Sequence, residues 1–242
     1  MHNTKKILLV TLLVVVALTA GAFLLFGKKP SPAASPVSSG VSALVSQKIP
    51  GKYYVMNLLY PQSSKTRYPE IANFVSQSKS DFLSQFGNIS DSDAATLGLG
   101  GDRKYEYDMT TRIATSTKTV SYIIEVYEFT GGAHGNTDVT TFTYDKLGKL
   151  VTLDDFFDAP YLNKIAGLSR THFYSTLGDY AESQMIDSGT EATTTNFSTW
   201  YLTDQNITFI FAQYQVGPYV IGMPEFPIAR SSLSDIISRK YK

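Results

Sequence analysis

Apolar and polar positions alternate with a period of two in the middle of the chain. Residues 105–113 alternate strictly, which is typical of a strand with one face in water. Residues 121–129 are apolar on both faces and predict a central strand, and the Thr-rich residues 138–145 predict its neighbour. Residues 53–61 (YYVMNLLYP) predict an earlier strand that stops at Pro61.

Helical spacing appears in two longer stretches. Residues 69–87 begin with a proline suited to a first helical position, carry apolar residues every three or four positions, and end at Gly87. A second helix is predicted over about 160–185, with glycines as weak points. The pair Thr152 and Asp155 has the spacing of a helix-starting capping box.

The C-terminal third predicts a hairpin, an edge segment and a short helix. TWYLTD and ITFIFAQY form the hairpin through residues 204–206, and GPYVIGMPEFPIA can pair only along an edge because of its prolines. Ser232 and Asp235 predict the start of the short helix, while residues 90–102 predict a loop. Strands and helices are grouped, so the predicted class is α+β: an antiparallel sheet packed with two main helices and a short C-terminal helix, after an N-terminal transmembrane helix.

The N-terminal transmembrane helix is predicted from residues 7–26 (ILLVTLLVVVALTAGAFLLF), an uncharged apolar run. About 20 helical residues span roughly 30 Å, the thickness of a bilayer core. This run favours an uncleaved single-pass anchor in the cell membrane with the C-terminal domain outside the cytoplasm. The alternative is secretion after cleavage of a signal peptide near Ala20 to Ala22.

The organisation along the chain follows from these patterns. Residues 27–48 are rich in Pro, Ser, Ala and Gly and predict a tether. The predicted parts are a short tail (1–6), the transmembrane helix (7–26), the linker (27–48), an N-terminal lobe (49–104) and a C-terminal lobe (105–242).

Composition narrows the chemistry. The chain carries 21 basic and 21 acidic residues, so nothing pulls it toward nucleic acid or another strongly charged partner. The absence of cysteine excludes disulfides, thiolate metal sites, a cysteine nucleophile and a lipoprotein anchor. No phosphate loop, dinucleotide fingerprint, HExxH or GxSxG pattern is present, so no cofactor is expected.

Two motifs in fixed order carry a resemblance to a known family. YEFTGGAHGNT is followed by LGKLVTLDDFF, a helix, and then WYLTDQNITFIFAQYQVGPYVIGMPEFPI. Over residues 105–237 this order resembles the extracytoplasmic domain of unknown function shared by the anti-sigma factor RsiV and the peptidoglycan deacetylase PdaC. Residues 49–104 are similar, more loosely, to the small domain that precedes it.

The resemblance implies an α+β module on the bacterial cell envelope. In RsiV this domain is a receptor surface for lysozyme, and in PdaC it accompanies a separate catalytic domain, for which this chain shows no counterpart. Only about six residues precede Ile7, so we expect no sigma factor as a partner. The expected partners are the membrane through residues 7–26 and an envelope protein or peptidoglycan-type glycan.

Candidate site residues cluster in the glycine-rich stretch 128–142. His134 could act as a general base or ligand, with Gly132 and Asn136 beside it. The alternative is a turn between two strands that needs small residues. Glu125 lies in an apolar strand and is either a catalytic carboxylate or the partner of Arg103, Arg112 or Lys118.

No metal site is expected. Outside the N-terminal tail the histidines are His134 and His172, and neither belongs to an HxxxH or HxH spacing. His172 is expected to be partly buried beside a helix stripe. Asp154, Asp155 and Asp158 lack the calcium-loop pattern and fit acids at a helix start.

Residues 211–222 supply the other candidates for ligand binding. Gln213, Tyr214 and Tyr219 surround a Gly-Pro break. Exposed rings on a rigid edge bind protein loops or stack on sugars. The alternative is that these tyrosines pack in the core.

The leading hypothesis is an envelope-binding module. The alternatives are a cell-wall hydrolase or deacetylase-related enzyme using His134 and a carboxylate, and a non-catalytic membrane scaffold, so enzyme activity is left undecided.

Overall fold

The computed structural model describes residues 41–242 and confirms the α+β class, with two sheets in this range. The strands are β1 Leu44–Pro50, β2 Tyr54–Pro61, β3 Tyr105–Thr115, β4 Thr119–Phe129, β5 Asn136–Asp145, β6 Trp200–Leu202, β7 Asn206–Ile210 and β8 Glu225–Ala229. The helices are α1 Pro69–Phe86, α2 Asp91–Thr96, α3 Leu153–Phe156, α4 Leu162–Thr176 and α5 Ser183–Gly189.

The first sheet contains β1 to β5 in chain order and is mixed rather than fully antiparallel. The prediction of an antiparallel sheet is wrong at one pair, because β2 and β3 run parallel, with Tyr54 opposite Tyr105. The reason is the connection between them. It contains α1 and α2, which return the chain to the end of the sheet where β2 began, as a crossover does.

The first hydrophobic core lies between this sheet and α1. The helix buries Ile71, Val75 and Phe82, which follow the predicted helical spacing. Phe82 meets Tyr107 of β3 edge to face, with ring centroids 5.1 Å apart. Alternate residues of β3 and β4 therefore face the helix, as the period-two pattern predicted.

The second core lies under the three-stranded sheet β6-β7-β8 and is rich in phenylalanine. Phe173 of α4 packs edge to face on Phe211, and Phe197 packs on Phe209. The predicted hairpin and the predicted edge segment are both confirmed, because β7 pairs with β6 on one side and with β8 on the other.

The two sheets meet where the edge of β6 lies on the outer face of the first sheet. The main-chain N–H of Trp200 donates to the Thr141 hydroxyl at 3.0 Å, and that of Leu202 donates to the Ser121 hydroxyl at 3.2 Å. The edge of β6 has no neighbouring strand on this side among the described residues. Short hydroxyl side chains on β4 and β5 therefore accept the hydrogen bonds from its main-chain N–H groups. Ser38–Lys242 is one compact unit containing both cores, and we expect this 38–242 fragment to fold by itself.

Three local predictions are corrected. The single helix over 160–185 is wrong, since α4 ends at Thr176 and Gly178 takes the left-handed conformation (φ 54°) that terminates helices before α5 begins. The C-terminal helix is replaced by a 3₁₀ turn, Arg230–Leu233. The loop 90–102 contains α2, whose first turn is capped by the Ser90 side chain.

The capping box at Thr152 is confirmed. Its hydroxyl accepts from the Asp155 N–H at 3.1 Å, and the Asp155 carboxylate accepts from the Thr152 N–H at 3.0 Å. Helix α1 likewise has the predicted bounds, with Gly87 as its C-cap.

The predicted tail, transmembrane helix and most of the linker lie outside the described residues. β1 begins at Leu44, so the last residues assigned to the linker 27–48 belong to the first sheet. Across residues 41–242 no helix has both the length and the apolar character that a bilayer crossing requires.

Candidate functional site

The glycine-rich loop 130–137 and the segment 213–222, which the binding hypothesis combines on one face without sequence evidence that they meet, lie against each other. The Thr137 N–H donates to the Gln213 side-chain oxygen at 3.2 Å. The Tyr219 hydroxyl donates to the Gly135 carbonyl, also at 3.2 Å. Candidates from two distant parts of the chain therefore form one surface at the end of the first sheet where β4 finishes.

Three rings form what we call the aromatic shelf: His134, Tyr214 and Tyr219. The imidazole of His134 stacks on Tyr219 with ring centroids 4.2 Å apart and planes at 30°. Tyr214 continues the row, 5.7 Å from Tyr219. His134 is exposed and Tyr214 is 51 % exposed, so the shelf presents ring surface to solvent instead of packing the core.

One carbonyl holds the shelf in place. The oxygen of Gly135 accepts from the Tyr219 hydroxyl and also from Nδ1 of His134 at 2.9 Å. A carbonyl oxygen only accepts, so Nδ1 carries the hydrogen, and in the neutral imidazole Nε2 is left as an acceptor. The ring is thereby fixed in both orientation and tautomer.

Glycine is required in this loop for two different reasons. Gly131 and Gly132 have φ of 93° and 102°, where other residues are strained. Gly135 is buried, and a Cβ there would overlap the Tyr127 ring and lie 2.6 Å from the Glu128 carbonyl oxygen. The alternative interpretation, a turn between two strands that needs small residues, is therefore correct for the backbone of this loop. The same turn also places His134 at the surface.

Tyr214 is held in an unusual backbone conformation. Its φ of 64° lies in the left-handed region that tyrosine rarely adopts. The next residue, Gln215, fixes the segment: its side-chain amide donates to the carbonyls of Gly189 and Asn196, both at 3.0 Å, and accepts from the Ala212 N–H at 2.9 Å. Such strain persists where the surroundings impose it, and it is concentrated at functional sites.

The six predicted ligand-binding residues have different roles in this geometry. His134, Tyr214 and Tyr219 form the shelf, and Gln213 anchors the loop. Asn136 pairs with Glu128 and so faces the α1 side of the sheet, opposite to Thr137. Gly132 contributes conformation alone.

Sequence reasoning missed Gln215 and Tyr127. Tyr127 is half-buried beside the shelf, and its phenol pKa is raised by burial and by the neighbouring Glu106, Tyr219 and Asp108. The alternation in β3 places Glu106 and Asp108 on one face, so the sequence could have predicted an acidic surface there. No pattern in the neighbouring residues indicates the role of Gln215. The sheet surface next to the shelf is therefore acidic.

Glu125 belongs to a different cluster. Arg112 donates to Glu125 at 3.0 Å and to Glu225 of β8 at 2.6 Å, and the Tyr201 hydroxyl donates to Glu225 at 2.7 Å. Burial opposes the charge of Arg112, but Glu225 and Glu125 outweigh it and raise the guanidinium pKa. Of the three partners predicted for Glu125, the structure shows Arg112, a cation that joins the two sheets.

The three aspartates of 154–158 also have structural partners. Asp155 closes the capping box, Asp154 accepts from the Tyr161 hydroxyl at 2.8 Å, and Asp158 accepts from the Arg239 N–H at 3.3 Å. Burial and Asp154 raise the pKa of Tyr161 to about 12. Within the described range 41–242, no three His, Asp or Glu side chains gather in a way that could hold a metal ion.

His172 is half-buried, as predicted. Its ring stacks on Phe226 at 4.3 Å, and burial lowers its pKa. It packs against the second core, so of the two histidines within residues 41–242 only His134 contributes to the exposed surface near β4.

Comparison with known families identifies the two halves of this architecture. The model described as "Deacetylase PdaC" matches residues 48–137, and the model described as "Protein of unknown function (DUF3298)" matches residues 154–231. These two parts of the chain are thus similar to the PdaC and DUF3298 families, respectively. The PdaC resemblance is confirmed, and the PdaC match includes β3, β4 and the loop that presents His134.

A curated relative adds a sequence match to part of a larger protein. The chain is 31 % identical over 127 residues to the peptidoglycan-N-acetylmuramic acid deacetylase PdaC of Bacillus subtilis (strain 168). The match covers 51 % of this chain and 27 % of that protein. It therefore spans about a quarter of the relative's length.

Solved structures of DUF3298 family members share the fold. One from Bacteroides fragilis NCTC 9343 has a TM-score of 0.53 at 17 % identity and covers 82 % of this chain and 93 % of its own. One from Pseudomonas aeruginosa PAO1 has a TM-score of 0.51 at 16 % identity, covering 82 % and 94 %. At these identities the likeness shows the fold alone.

Proposed function

We propose that this chain is an extracytoplasmic module of the bacterial cell envelope that binds a peptidoglycan-type glycan through the aromatic shelf. The observation that carries the proposal is the row of His134, Tyr219 and Tyr214, partly exposed and tied together at the Gly135 carbonyl. Rings that are immobilised before binding lose little conformational entropy when a ligand stacks on them.

Two features of the shelf suit a sugar ligand. Ring faces provide apolar area for the C–H side of a sugar ring, and the free Nε2 of His134 accepts a hydroxyl hydrogen. The nearby Glu106 and Asp108 supply further acceptors. The link to peptidoglycan comes from the B. subtilis deacetylase, whose name states that substrate.

A second candidate ligand is an envelope protein of basic surface, such as a lysozyme-like protein. The observation that favours it is the acidic sheet surface beside the shelf, since carboxylates attract a cationic partner. Aromatic side chains are also common anchors in protein interfaces.

The hydrolase or deacetylase-related alternative has no supporting contact among the described residues. The hydrogen bond and ring stack of His134 are made to Gly135 and Tyr219, while Glu125 is paired with Arg112. We therefore propose binding as the function of this surface.

The experiment compares Tyr214→Gly with the control Tyr174→Ala in the 38–242 fragment. Glycine removes the ring and accepts the left-handed backbone, so the fold is preserved. We expect about tenfold weaker binding, because losing one well-packed anchor costs on the order of 1.4 kcal/mol or more. Tyr174 lies on α4 and is also exposed, so its replacement should leave binding unchanged.

The same proteins are tested on insoluble peptidoglycan and on immobilised lysozyme. Binding to peptidoglycan that depends on Tyr214 supports the glycan, and binding to lysozyme alone supports the protein partner. If neither ligand is retained by the wild-type fragment, or if Tyr214→Gly and Tyr174→Ala behave alike, the shelf is not the binding surface and the proposal is wrong.

The single-pass anchor through residues 7–26 is part of the proposal. It is supported by the length of the apolar run. Membrane fractionation of the full chain with intact-mass measurement tests it, and we expect the intact chain in the membrane fraction. A soluble product cleaved near Ala22 would contradict the anchor and support secretion.

A further inference from the structure

Two adjoining cavities lie at the end of the first sheet opposite to the aromatic shelf. The larger has a volume of about 540 Å³ and the smaller about 220 Å³, and both are bounded by Thr117, Lys118 and Tyr241. The remaining lining of the larger is Asp204, Arg230, Ser234, Ile237 and Lys242, and that of the smaller is Asp145, Lys146, Leu147 and Lys240. We call this region the lysine-rich end.

Two of the cations that build these cavities, Lys118 and Arg230, donate hydrogen bonds to main-chain oxygens. Lys118 donates to main-chain oxygens of Lys240 and Lys242, both at 2.7 Å. Arg230 donates to the Thr203 carbonyl at 3.1 Å and to the Tyr241 carbonyl. The neutral carbonyls of Lys240, Thr203 and Tyr241 hold these cations in position without cancelling their charge.

The two aspartates that line the cavities offset only part of the charge of the five basic residues there. Asp145 is paired with Lys240 at 3.0 Å, and Asp204 accepts from the Thr117 N–H at 2.6 Å. Lys146 and Lys242 are exposed at the rim. An anionic group entering the cavities would therefore meet an excess of positive charge on fixed supports.

The polypeptide enters the described domain at this same end. Leu44, the first residue of β1, pairs with Pro61, the last residue of β2, and the Ser42 N–H donates to the Tyr122 hydroxyl at 2.8 Å. The loop that follows β2 adds the exposed Lys65 and Arg67. The first described residues thus lie at the same end of the sheet as the lysine-rich end, and the apolar run 7–26 precedes them in the sequence.

We propose that the lysine-rich end binds the phosphate groups of an anionic phospholipid surface. Charge complementarity supports a phosphate ligand, and the entry point of the chain favours phospholipid over a soluble source. Basic residues next to a membrane-connected segment gain most from such contact, because attraction falls off within a Debye length of the surface. The aromatic shelf, at the other end of β4, stays available for its own ligand.

The experiment is vesicle co-flotation of the 38–242 fragment. Vesicles of phosphatidylcholine alone are compared with vesicles that also contain phosphatidylglycerol. We expect co-flotation with the anionic vesicles only, and its loss in high salt because the attraction is screened. The double variant Lys146→Gln/Lys242→Gln should weaken partitioning about 25-fold, since each basic residue near an anionic surface contributes about a fivefold factor.

The matched control is Lys48→Gln/Lys52→Gln, which removes the same charge toward the opposite end of the sheet, where Lys48 faces Asn57 in the strand register. This control should float like the wild type. Equal partitioning into both kinds of vesicle, or equal losses in the two double variants, would overturn the proposal. Saturable binding of inorganic phosphate without vesicle binding would also overturn the assignment to a lipid surface.

Discussion

The two ends of β4 carry surfaces of opposite character in a chain with no net charge. At the Phe129 end, side chains converge on the Gly135 carbonyl and present aromatic rings beside acids. At the Thr119 end, lysine and arginine converge on main-chain carbonyls and line cavities. At both ends main-chain oxygens accept the hydrogen bonds that position the side chains. These side chains are aromatic rings at one end and cations at the other.

The pKa of a carboxylate is shifted in opposite directions at the two ends of β4: it is lowered for Asp145 and raised for Glu128. Burial opposes ionisation of Asp145, but hydrogen bonds from Lys240 and from the Lys149 and Leu147 N–H groups outweigh it and hold the pKa below its ordinary value. Burial, together with the neighbouring Asp138, raises the pKa of Glu128. Asp145 therefore stabilises its end as an anion, whereas Glu128 is destabilising when charged.

The largest effect is expected from Gly135→Ala at the shelf end. The added methyl group meets the Tyr127 ring and the Glu128 carbonyl, and overpacking of this kind costs about 3 kcal/mol. Since Gly135 also holds His134 and Tyr219, ligand binding should fall with stability. Urea unfolding and peptidoglycan retention measure the two losses.

Gly148→Ala is the matched change toward the lysine-rich end. Gly148 has φ 80° with open space around it, so the cost is backbone strain of about 1 kcal/mol and shelf binding should be unchanged. Equal costs for the two alanines would show that Gly135 is not tightly enclosed.

Asp145→Asn should have the next largest effect, a loss of about 2 kcal/mol at neutral pH, because the amide loses the pair with Lys240 and accepts only neutral hydrogen bonds from the Leu147 and Lys149 N–H groups. The folded pKa is below the unfolded value, so the anion's contribution is present above about pH 4 and is lost as pH falls through the folded pKa. Unfolding free energies measured over a pH series should therefore converge for wild type and variant in acid. A gap that stays constant with pH would contradict the role of the charge.

Tyr219→Phe should cost about 1 kcal/mol by removing one hydrogen bond to Gly135 while keeping the ring stacked on His134. Hydrogen exchange of the 130–137 amides should become faster. Unchanged exchange would show that the hydroxyl does not hold the loop.

Glu128→Gln should produce the smallest change, a modest gain in stability at neutral pH. A folded pKa above the unfolded value of about 4.5 means that the charged form disfavours folding, and that wild-type stability recovers as pH falls through the folded pKa. The variant's advantage should thus disappear in acid, opposite to the trend for Asp145→Asn. Destabilisation at neutral pH would contradict this account.

The sequence predicted the elements whose signals are local. Helix α1, strands β3 and β4, and the capping box at Thr152 depend on periodicity or on residues three positions apart. The parallel pairing of β2 with β3 was missed because it depends on where α1 returns the chain. The break at Gly178 was recognised as a weak point, but its φ of 54° depends on the packing of α4 and α5.

The site was predicted in parts and not as a whole. His134, Gln213, Tyr214 and Tyr219 were identified by residue type and by nearby glycine and proline. Their meeting depends on the placement of β6 on the outer face of the first sheet, through Ser121 and Thr141, which no local pattern encodes. Gln215 was missed for the same reason, because two of its three partners lie about 20 residues or more away along the chain.

The most direct test of the central claim, that the aromatic shelf is the binding surface, is an NMR titration of the isotopically labelled 38–242 fragment with soluble peptidoglycan fragments. We predict that the largest amide shift changes occur in residues 130–137 and 213–222, with those of the lysine-rich end unchanged. Saturable changes confined to other residues, with these two segments unaffected, would contradict the account.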